Sequence, residues 1–511
     1  MPFDTTPFLI AYARWRKLAL SQQDPATTQQ RALHNLLKRG ERTKFGRDHG
    51  FKKIASLSEF QSRVPLRTYE DYWREYWSGP FPRITNMTWP GTVPFFAETS
   101  GTTTGRSKYI PVTREMLFAN SWAAGDLLVH HVANRPDSRI FGGLNFMLGG
   151  STGLRELAPG IVSGDLSGIE AHTIPWWLRP WHFPPPELDE ITDWEAKIEA
   201  LANAVIGQDI RVMSGVPSWL LVLFDRLEEV RPNVGHRLVD FFPNLELLAH
   251  GGVNFGPYRR NFLNRLQGSH AETREVYAAS EGFIAVADRG DDEGLRLILD
   301  NDLFFEFVPL DELDRPTPTR HWVGMAELGV NYAIVLTTSA GLWAYIVGDT
   351  VEFVTLSPPR IRVTGRTGLI LSTFGEHLIG AEIEAAISDA AEGAGLDAVD
   401  YTVGATIAEQ KSEQGQHLYI VEFADGVPNT RLQDRFLAAL DHQLREVNAD
   451  YRSHRIDRHG LRAPRLVAVV PGTFYCWMRR RGKLGGQNKV PRVINDQELF
   501  LDLRRFVTKP S

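Results

Sequence analysis

The sequence has a single cysteine, Cys476, among its 511 residues. One thiol excludes an internal disulfide, and scarce cysteine is typical of proteins from a reducing compartment. Long apolar runs are lacking as well, since no stretch reaches the roughly 18 residues that a membrane-spanning helix requires. Charged side chains, among them Asp4, Arg14 and Lys17, interrupt the mildly apolar N-terminal stretch, so we expect no signal peptide. These absences predict a soluble, cytoplasmic protein without membrane association.

An excess of positive charge is also absent. The chain carries 56 lysines and arginines against 62 acidic residues, a net charge of −6. The basic run at 479–483 is short and isolated, so we expect no nucleic-acid partner. Hydrophobic residues make up 43% of the sequence, enough for buried cores, and the length favours two or three domains. We expect small-molecule partners and a monomer or weak dimer.

Apolar spacing divides the chain into regions of different pattern. Residues 8–80 have the spacing of helices, which favours a packing layer without a site of its own. From residue 93 to about 365, short apolar runs alternate with amphipathic stretches, as in an α/β fold. The prolines of 357–359 and the glycines of 365–368 interrupt this pattern, so we place a domain boundary there.

We therefore predict two domains. The large N-terminal domain, residues 1–365, has mixed sheets and helices, and the smaller C-terminal domain comprises residues 366–511. In the second domain, Ile379, Ile383 and Ile387 mark one helix face. The order of its segments is helix, strand, strand, helix, strand, which suits a small α+β domain. The predicted fold class is α/β.

Hydroxyl side chains, glycines and cations concentrate in the segment Thr99-Ser-Gly-Thr-Thr-Thr-Gly-Arg-Ser-Lys108. Glycine lets backbone N–H groups turn toward an anion, the hydroxyls donate further hydrogen bonds, and the two cations supply charge. The segment follows a predicted strand at 92–97, and nucleotide sites in α/β folds lie at strand ends. Three residues separate Gly101 from Gly105, whereas a Walker P-loop has four. The segment predicts a nucleotide triphosphate site, with an ordinary surface loop as the alternative.

Four further positions carry side chains suited to such a ligand. Tyr277 follows a predicted strand and offers a ring on which adenine can stack, while Glu281 offers a hard oxygen for magnesium. Asp349, beside a glycine, can accept hydrogen bonds from both ribose hydroxyls. Lys489 lies in a glycine-rich segment, from which its ammonium can stabilise charge on a phosphate under attack. Each alone is explained as well by a turn or a solvated surface, but their combination favours a nucleotide site.

Motifs along most of the chain resemble those of one family. They are the segment at 99–108, Val64-Pro-Leu-Arg-Thr-Tyr-Glu-Asp71, Tyr277-Ala-Ala-Ser-Glu281, Thr337-Thr-Ser-Ala-Gly-Leu342, Tyr345-Ile-Val-Gly-Asp349, Tyr451-Arg, Pro471-Gly-Thr-Phe474 and Asn488-Lys-Val-Pro-Arg492. In this combination the chain resembles the auxin-responsive Gretchen Hagen family of acyl acid amido synthetases, a branch of the adenylate-forming superfamily. It looks like a short, bacterial-like member.

The resemblance implies a large adenylate-forming domain, a mobile C-terminal domain and a two-step reaction. ATP and a small indolic, aryl or jasmonate-like carboxylic acid would form an acyl-adenylate and pyrophosphate. An amino acid would then displace AMP and give an amide. The implied cofactors are ATP and Mg²⁺, with Glu281 as the metal ligand and with Glu281 and Lys489 as catalytic residues. The implied ATP-binding residues are Ser100, Gly101, Thr102, Thr103, Tyr277, Ala278, Ser280, Asp349, Arg366 and Lys489.

The sequence departs from the family pattern at several positions. Ile346 stands where many members have arginine, and Gly368 stands where adenylate-forming enzymes commonly have a hinge aspartate. The identity of the acid and of the amino acid cannot be carried over, because the pocket lies outside the matched motifs. Ser151, Gly252 and Val253 are candidate acyl-pocket residues, since they lie in segments whose small residues admit a close ligand.

Two alternatives stay open at this point. An acyl-CoA ligase of the same superfamily would share the first step and differ only in the acceptor. A non-catalytic nucleotide-binding protein of the same fold would bind ATP without turnover, because fold alone does not imply function.

Overall fold

The structure, a computed structural model, describes the whole chain except residues 1–2, 100–107, 150–152, 177, 192–193, 253–254, 256–257, 291–292, 314, 368–369, 372–375, 377, 407–414, 456–460, 482–489 and 509–511. The described residues form two compact units, one ending at Thr367 and the other following it. Each unit combines helices with β-sheet. The predicted α/β class, with a larger first part and a smaller second part, is confirmed.

The larger unit opens with two long helices, α1 (Thr6–Ser21) and α2 (Pro25–Gly40). The Asp24 carboxylate accepts a hydrogen bond from the Thr27 N–H at 2.7 Å, an N-cap that explains where α2 begins. The helices predicted across residues 8–80 are thereby confirmed. The other α-helices described in this unit are α3 (Lys44–Asp48), α4 (Leu57–Arg63), α5 (Tyr69–Tyr72), α6 (Arg114–Asn134), α7 (Leu166–Thr173), α8 (Pro186–Asp189), α9 (Trp194–Val205), α10 (Pro217–Val230), α11 (Leu238–Phe241) and α12 (Arg259–Arg265).

The strands of the larger unit form a small sheet and a large one. Most of the strands predicted between residues 93 and 365 are confirmed, although their bounds differ by a few residues. In chain order they are β1 (Phe95–Thr99), β2 (Lys108–Val112), β3 (Leu144–Leu148), β4 (Arg155–Ala158), β5 (Ile161–Gly164), β6 (His182–Phe183), β7 (Ile210–Gly215), β8 (Leu247–Gly251), β9 (Glu272–Ala279), β10 (Gly282–Val286), β11 (Leu295–Leu297), β12 (Leu303–Pro309), β13 (His321–Trp322), β14 (Asn331–Thr338), β15 (Tyr345–Leu356) and β16 (Pro359–Arg366).

The small sheet has the order β2-β1-β5-β4, in which β1 is antiparallel to β2 and parallel to β5. The large sheet has the order β13-β12-β14-β15-β16-β11-β10-β9-β8-β7-β3-β6. Its strands from β9 to β6 pair in parallel, and the others pair antiparallel. The proline pair at 357–359 forms the hairpin turn between β15 and β16. This part of the predicted boundary signal therefore lies inside the large sheet, and the two units part after Thr367.

A buried aromatic core fixes the N-terminal helices against the start of β15. Trp343 is fully buried, and its indole N–H donates to the Thr88 carbonyl at 2.9 Å. The Tyr72 hydroxyl accepts from the Trp343 backbone N–H at 2.6 Å. A Cβ on Gly40 would lie 2.5 Å from the Trp343 ring, so α2 can approach only because this residue is glycine. Burying an aromatic side chain of this size contributes about 3 kcal/mol, which anchors the strand that follows.

The smaller unit is built on a sheet of the order β21-β20-β19-β22. Its described elements are β17 (Ile370–Leu371), β18 (Leu378–Ile379), α13 (Gly380–Ala394), β19 (Ala398–Thr406), β20 (Gln416–Phe423), α14 (Thr430–Val447), α15 (Ala449–His454), β21 (Arg465–Val469), α16 (Thr473–Arg480), β22 (Val493–Ile494) and α17 (Gln497–Thr508). The predicted order of helix, strand, strand, helix and strand is confirmed by α13, β19, β20, α14 and β21. The other described elements complete the unit and were not predicted: β17, β18, α15, α16, β22 and α17.

Within the described part of the chain, no helix combines the length and the apolar composition needed to cross a bilayer. The helix α6 has 21 residues, but Arg114, Glu115 and Asp126 interrupt it. A spanning helix of this length would need to be apolar almost throughout.

Candidate functional site

The predicted phosphate loop itself lies outside the described residues, but the strands that bracket it are described. β1 and β2 pair antiparallel with Thr99 opposite Lys108, so the predicted strand before the loop is confirmed. The Lys108 Nζ lies 5.4 Å from the centroid of the Tyr69 ring. The four predicted phosphate contacts outside the described residues are Ser100, Gly101, Thr102 and Thr103.

The predicted acyl-pocket residues Ser151 and Val253 and the predicted catalytic Lys489 also lie outside the described residues. Gly252 is described, and it is exposed at the carboxyl end of the parallel strand β8. Its φ of 83° favours glycine, and among the described residues an added Cβ would meet Val216 at an ordinary 3.7 Å. Carboxyl ends of parallel strands are where α/β folds bind ligands, and a role for Gly252 in an acyl pocket stays a prediction.

Tyr277 and Asp349 are brought into direct contact by the fold. Tyr277 lies on β9, Asp349 lies on β15, and the tyrosine hydroxyl donates to a carboxylate oxygen of Asp349 at 2.6 Å. The two residues are 9% and 7% exposed. A hydrogen bond to a charged acceptor in a buried setting is among the stronger ones, so it holds both side chains in place. The structure thus joins two residues that the sequence could only propose separately.

Curvature of the large sheet makes this contact possible. Three strands, β16, β11 and β10, separate β15 from β9 in the sheet order. Neighbouring strands lie about 4.8 Å apart, so a flat sheet would hold β9 and β15 roughly 19 Å from each other. A tyrosine and an aspartate cannot bridge that distance. The sheet therefore curls between these strands. This curvature brings Tyr277 and Asp349, which are 72 positions apart in the sequence, into contact.

Glu281 lies in the turn between β9 and β10, against the hydroxyl of Tyr345 at the start of β15. Burial, together with the negative charges of Glu281 and Glu70 and the hydrogen bond to Glu281, raises the pKa of Tyr345 well above its ordinary value. The hydroxyl therefore stays protonated and donates to the carboxylate. This contact orients the predicted metal ligand.

The two motifs pair crosswise as a result. Each of the segments 277–281 and 345–349 supplies one tyrosine and, four residues later, one carboxylate. The tyrosine of each segment donates to the carboxylate of the other. A carboxylate has about four acceptor sites, so one tyrosine hydroxyl does not exhaust its capacity to bind a ligand.

The backbone of Arg366 lies beside Asp349. Arg366 ends β16 directly opposite Asp349 in β15, and the next residue, Thr367, donates its N–H to the Gly348 carbonyl at 2.7 Å. Gly348 has a φ of 99°, a conformation that favours glycine. The predicted ribose ligand and the predicted ribose contact are thus backbone neighbours.

Asn120 was not predicted, and it fixes the hairpin that carries Ala278 and Ser280. Its side-chain oxygen accepts the N–H of Phe283, the residue opposite Ala278, at 3.1 Å, and the residue is 5% exposed. Its side-chain nitrogen donates to Glu170 at 3.4 Å. A buried amide must find partners, so a polar residue on the apolar face of α6 was the signal available in the sequence.

A metal that arrives with a nucleotide needs few protein ligands. Among the residues that the structure describes, no group of three or more His, Cys, Asp or Glu side chains could hold an ion. Mg²⁺ is usually bound by one or two carboxylates together with phosphate oxygens and water. Glu281, oriented by Tyr345, fits that donor set.

Family models match three successive parts of the chain. They describe the GH3 family N-terminal domain at residues 14–144, the GH3 family central domain at 296–366 and the GH3 family C-terminal domain at 381–498. Together they cover more than half of the sequence. The chain belongs to the GH3 family. The resemblance drawn from the motifs is thereby confirmed.

Curated plant proteins are relatives of this GH3 chain. Indole-3-acetic acid-amido synthetase GH3.3 of Arabidopsis thaliana is 28% identical over 237 residues, which are 43% of this chain and 38% of the relative. Jasmonoyl-L-amino acid synthetase JAR6 of Nicotiana attenuata is 27% identical over 279 residues, 51% of this chain and 46% of the relative. The matched regions therefore span less than half the length of these two relatives.

Solved structures resemble this GH3 chain over nearly its whole length. GH3.15 acyl acid amido synthetase in complex with 2,4-DB has a TM-score of 0.60 at 17% identity, covering 99% of this chain and 97% of that one. A 2-hydroxyisobutyryl-CoA ligase in complex with 2-HIB-AMP and CoA has a TM-score of 0.58 at 17% identity, covering 95% and 93%. These similarities show the fold, and the predicted architecture of a large and a small domain agrees with it.

Proposed function

We propose that this GH3 chain is an ATP-dependent acyl acid amido synthetase. A small carboxylic acid, indolic, aryl or jasmonate-like, attacks the α-phosphorus of ATP, and an acyl-adenylate and pyrophosphate form. The amine of an amino acid then attacks the acyl carbon and releases AMP. Membership of the family supports this proposal, and the observation that carries it is the contact between Tyr277 and Asp349. Two motif residues that a nucleotide would need side by side do lie side by side.

The nucleotide contacts follow from that pair. The ring of Tyr277 stacks on adenine, and its bond to Asp349 fixes the ring before ATP arrives. Asp349 also accepts from the ribose hydroxyls, next to the backbone of Arg366. Ala278 and Ser280 border the same hairpin, and the loop of Ser100, Gly101, Thr102 and Thr103 holds the outer phosphates.

The charge that builds during phosphoryl attack needs cations. Glu281 is the proposed ligand of Mg²⁺, which would neutralise part of the triphosphate charge when bound with ATP. Lys489 is proposed to neutralise the α-phosphate and the incoming carboxylate oxygens, as a preorganised donor that acts on developing charge.

The two domains take different parts in this proposal. Residues 1–365 bind the nucleotide and the acid, with Ser151, Gly252 and Val253 in the acyl pocket. Residues 366–511 supply Lys489 and move between the two half-reactions, a gating role known for mobile domains. We propose that the protein acts in the cytoplasm on small molecules, as a monomer or weak dimer.

The reaction can be tested directly. The purified chain is incubated with ATP, Mg²⁺, one acid from a set of indole-3-acetate, benzoate and jasmonate, and a mixture of the common amino acids. We expect AMP and pyrophosphate in an acid-dependent manner, and an amide by mass spectrometry. Formation of ADP, or pyrophosphate release that ignores the acid, would contradict the proposal.

An acyl-CoA ligase is the second candidate, because a CoA ligase is among the solved structures with this fold. Its first step is the same, so only the acceptor separates the two functions. The same incubation with coenzyme A in place of amino acids makes the distinction. A thioester without any amide would establish the second candidate, and binding of ATP without turnover under both conditions would indicate a non-catalytic nucleotide-binding protein.

A further inference from the structure

Glu170 lies on a helix that begins at the same sheet edge as the end of β1, the strand before the predicted phosphate loop. It belongs to α7, which begins two residues after β5. β5 runs parallel to β1, with Gly164 opposite Ala97. Parallel strands end at the same edge of a sheet, so α7 begins at the edge from which the loop after Thr99 departs.

The Glu170 carboxyl has a single partner among the described residues. The side-chain nitrogen of Asn120 donates to it at 3.4 Å, while the oxygen of the same amide accepts from Phe283 in β10. No arginine, lysine or histidine of the described residues forms an ion pair with it. One amide group therefore connects this carboxyl to the hairpin that carries Tyr277 and Glu281.

Burial without a cation changes the chemistry of Glu170. The residue keeps some accessible surface, but desolvation of the carboxyl raises its pKa to about 7, against a smaller lowering by Asn120. Nearby titratable groups are engaged elsewhere: His172 bonds the Gly168 carbonyl, and Glu98 on β1 accepts from Ser163 and Arg155. A carboxyl that exchanges a proton near neutral pH suits general base catalysis.

We propose that Glu170 is the general base of the amide-forming step, the group that binds the acceptor amino acid's ammonium and removes its proton. The proposal rests on the amido synthetase function. The carboxylate takes one proton from the ammonium, and the free amine then forms the C–N bond. The bond between the acyl carbon and the phosphate oxygen breaks as AMP leaves with its electron pair. The second proton passes from nitrogen to the phosphate of AMP or to water.

The chemistry of the two partners is complementary in this arrangement. A buried carboxylate attracts an ammonium, and the transfer leaves two neutral groups in a site that disfavours isolated charge. Asn120 can hydrogen-bond the carboxyl in either state, because it donates to the charged form and to the carbonyl oxygen of the neutral form. The acceptor class is therefore a primary amine that is protonated at neutral pH.

The test is Glu170→Gln, which keeps the shape and the oxygen that accepts from Asn120 but cannot remove a proton. Acid-dependent exchange between pyrophosphate and ATP, with indole-3-acetate, benzoate or jasmonate, reports the first half-reaction. Amide formation in a single turnover reports the second. We expect unchanged exchange and at least a roughly 100-fold slower amide formation at pH 7, the usual contribution of a general base. Glu156→Gln, an exposed residue on β4, is the matched control.

Hydroxylamine separates proton removal from every other role of Glu170. It is largely unprotonated at neutral pH, so the variant should form the hydroxamate at nearly the wild-type rate. With amino acids, the deficit of the variant should shrink toward pH 9, where more of the acceptor amine is already neutral. This rescue would not occur if Glu170 served only to position α7.

The outcomes are distinct. Equal losses in both half-reactions, no loss in either, or a loss with hydroxylamine as large as with amino acids would each overturn the role of Glu170. Failure of the proposed function shows in the wild-type chain instead: an acyl-CoA ligase would keep the acid-dependent pyrophosphate exchange but form no amide, and a non-catalytic protein would give no exchange. Normal exchange in the variant also demonstrates that it is folded.

Discussion

The two ends of α6 hold buried carboxylates in opposite ways. Near its start, Asn120 contacts Glu170, which has no cationic partner among the described residues. Near its end, the fully buried His131 lies between Glu272, at 2.7 Å, and Glu246, at 3.6 Å. Within the described residues, one helix thus connects a carboxyl whose partner is an amide to a cluster of ion pairs.

Each glutamate of the cluster near the C-terminal end of α6 also contacts an arginine. Arg274 contacts Glu272 at 2.7 Å, and Arg211 contacts Glu246 at 3.2 Å. Burial alone would raise the pKa of both glutamates, but the hydrogen bonds and charges of His131 and its neighbours lower each pKa to about 2. These carboxylates stay charged at every physiological pH.

The effect of burial on a carboxylate depends on the groups that contact it. With cations, a buried carboxylate holds strands together and has a fixed charge. With an amide alone, it can change its charge and so can take part in proton transfer. We therefore expect substitution of His131, near the C-terminal end of α6, to lower the free energy of unfolding. We expect substitution of Glu170, which contacts the N-terminal part of α6, to slow the proposed proton transfer.

The largest effect on stability is expected from His131→Ala. Breaking a buried ion pair costs about 3–5 kcal/mol, and His131 is the side chain that contacts both glutamates, so its removal should cost up to that amount although an arginine still contacts each of them. The pKa of His131 is raised, despite burial, by Glu246 and Glu272, so its contribution is complete below its ordinary value near 6.5 and is lost as pH rises through the raised value. Urea unfolding at pH 6 and pH 9 measures the loss of stability and its dependence on pH.

The control for this experiment is His34→Ala, because His34 is exposed on α2. It should leave the free energy of unfolding within about 0.5 kcal/mol of the wild type. A loss below 1 kcal/mol for His131→Ala at pH 6, or the same loss for both variants, would show that the cluster does not stabilise the fold.

Glu170→Gln should have the opposite sign. The pKa of Glu170 is raised to about 7, so the wild type loses stability as pH rises from about 4.3 to 7, because a charge must be buried. The glutamine variant is spared that loss. We expect it to be more stable at pH 8 by up to about 3 kcal/mol and equal to the wild type at pH 4. Thermal unfolding at the two pH values tests this, and destabilisation of the variant at pH 8 would show that burial does not oppose ionisation of Glu170.

The sequence predicted much of the fold because apolar periodicity is a local property. The spacing of Ile383 and Ile387 places α13, although Ile379 of the same series lies in β18, and the predicted strand at 92–97 places β1. The hairpin at 357–359 was mistaken for part of a boundary, because proline pairs mark tight turns as readily as linkers.

The site was predicted only in part, because it depends on long-range geometry. The motif residues Tyr277 and Asp349 were identified, but their contact follows from the curl of a sheet across three intervening strands. Asn120 and Glu170 are 50 positions apart, and neither belongs to a motif. A buried carboxyl without a cation becomes visible only after the chain has folded around it.

The variant Asp349→Asn tests whether the Asp349 carboxylate, which pairs with a tyrosine, acts on a ligand as the Glu170 carboxyl is proposed to do. The amide retains an oxygen for the Tyr277 hydroxyl but loses the charge that would attract ribose hydroxyls. We expect ATP to bind about tenfold more weakly, or about 1.4 kcal/mol, with stability little changed. Calorimetry measures the affinity, Asp311→Asn on the exposed surface is the control, and an unchanged affinity would remove Asp349 from the nucleotide site.

The smallest effect is expected where an ion pair is exposed. Arg289 and Glu293 lie 3.1 Å apart with side chains 57% and 52% exposed, so water screens their attraction, and the side-chain freedom lost in holding the pair offsets much of what is left. Arg289→Ala should cost less than about 0.5 kcal/mol in urea unfolding, and 0.5 M salt, about the range where screening is strong, should remove even that. This variant sets the lower limit of the comparison. If its cost approached that of His131→Ala, the presence of cations rather than their burial would determine stability, and the contrast between the two ends of α6 would no longer follow from burial.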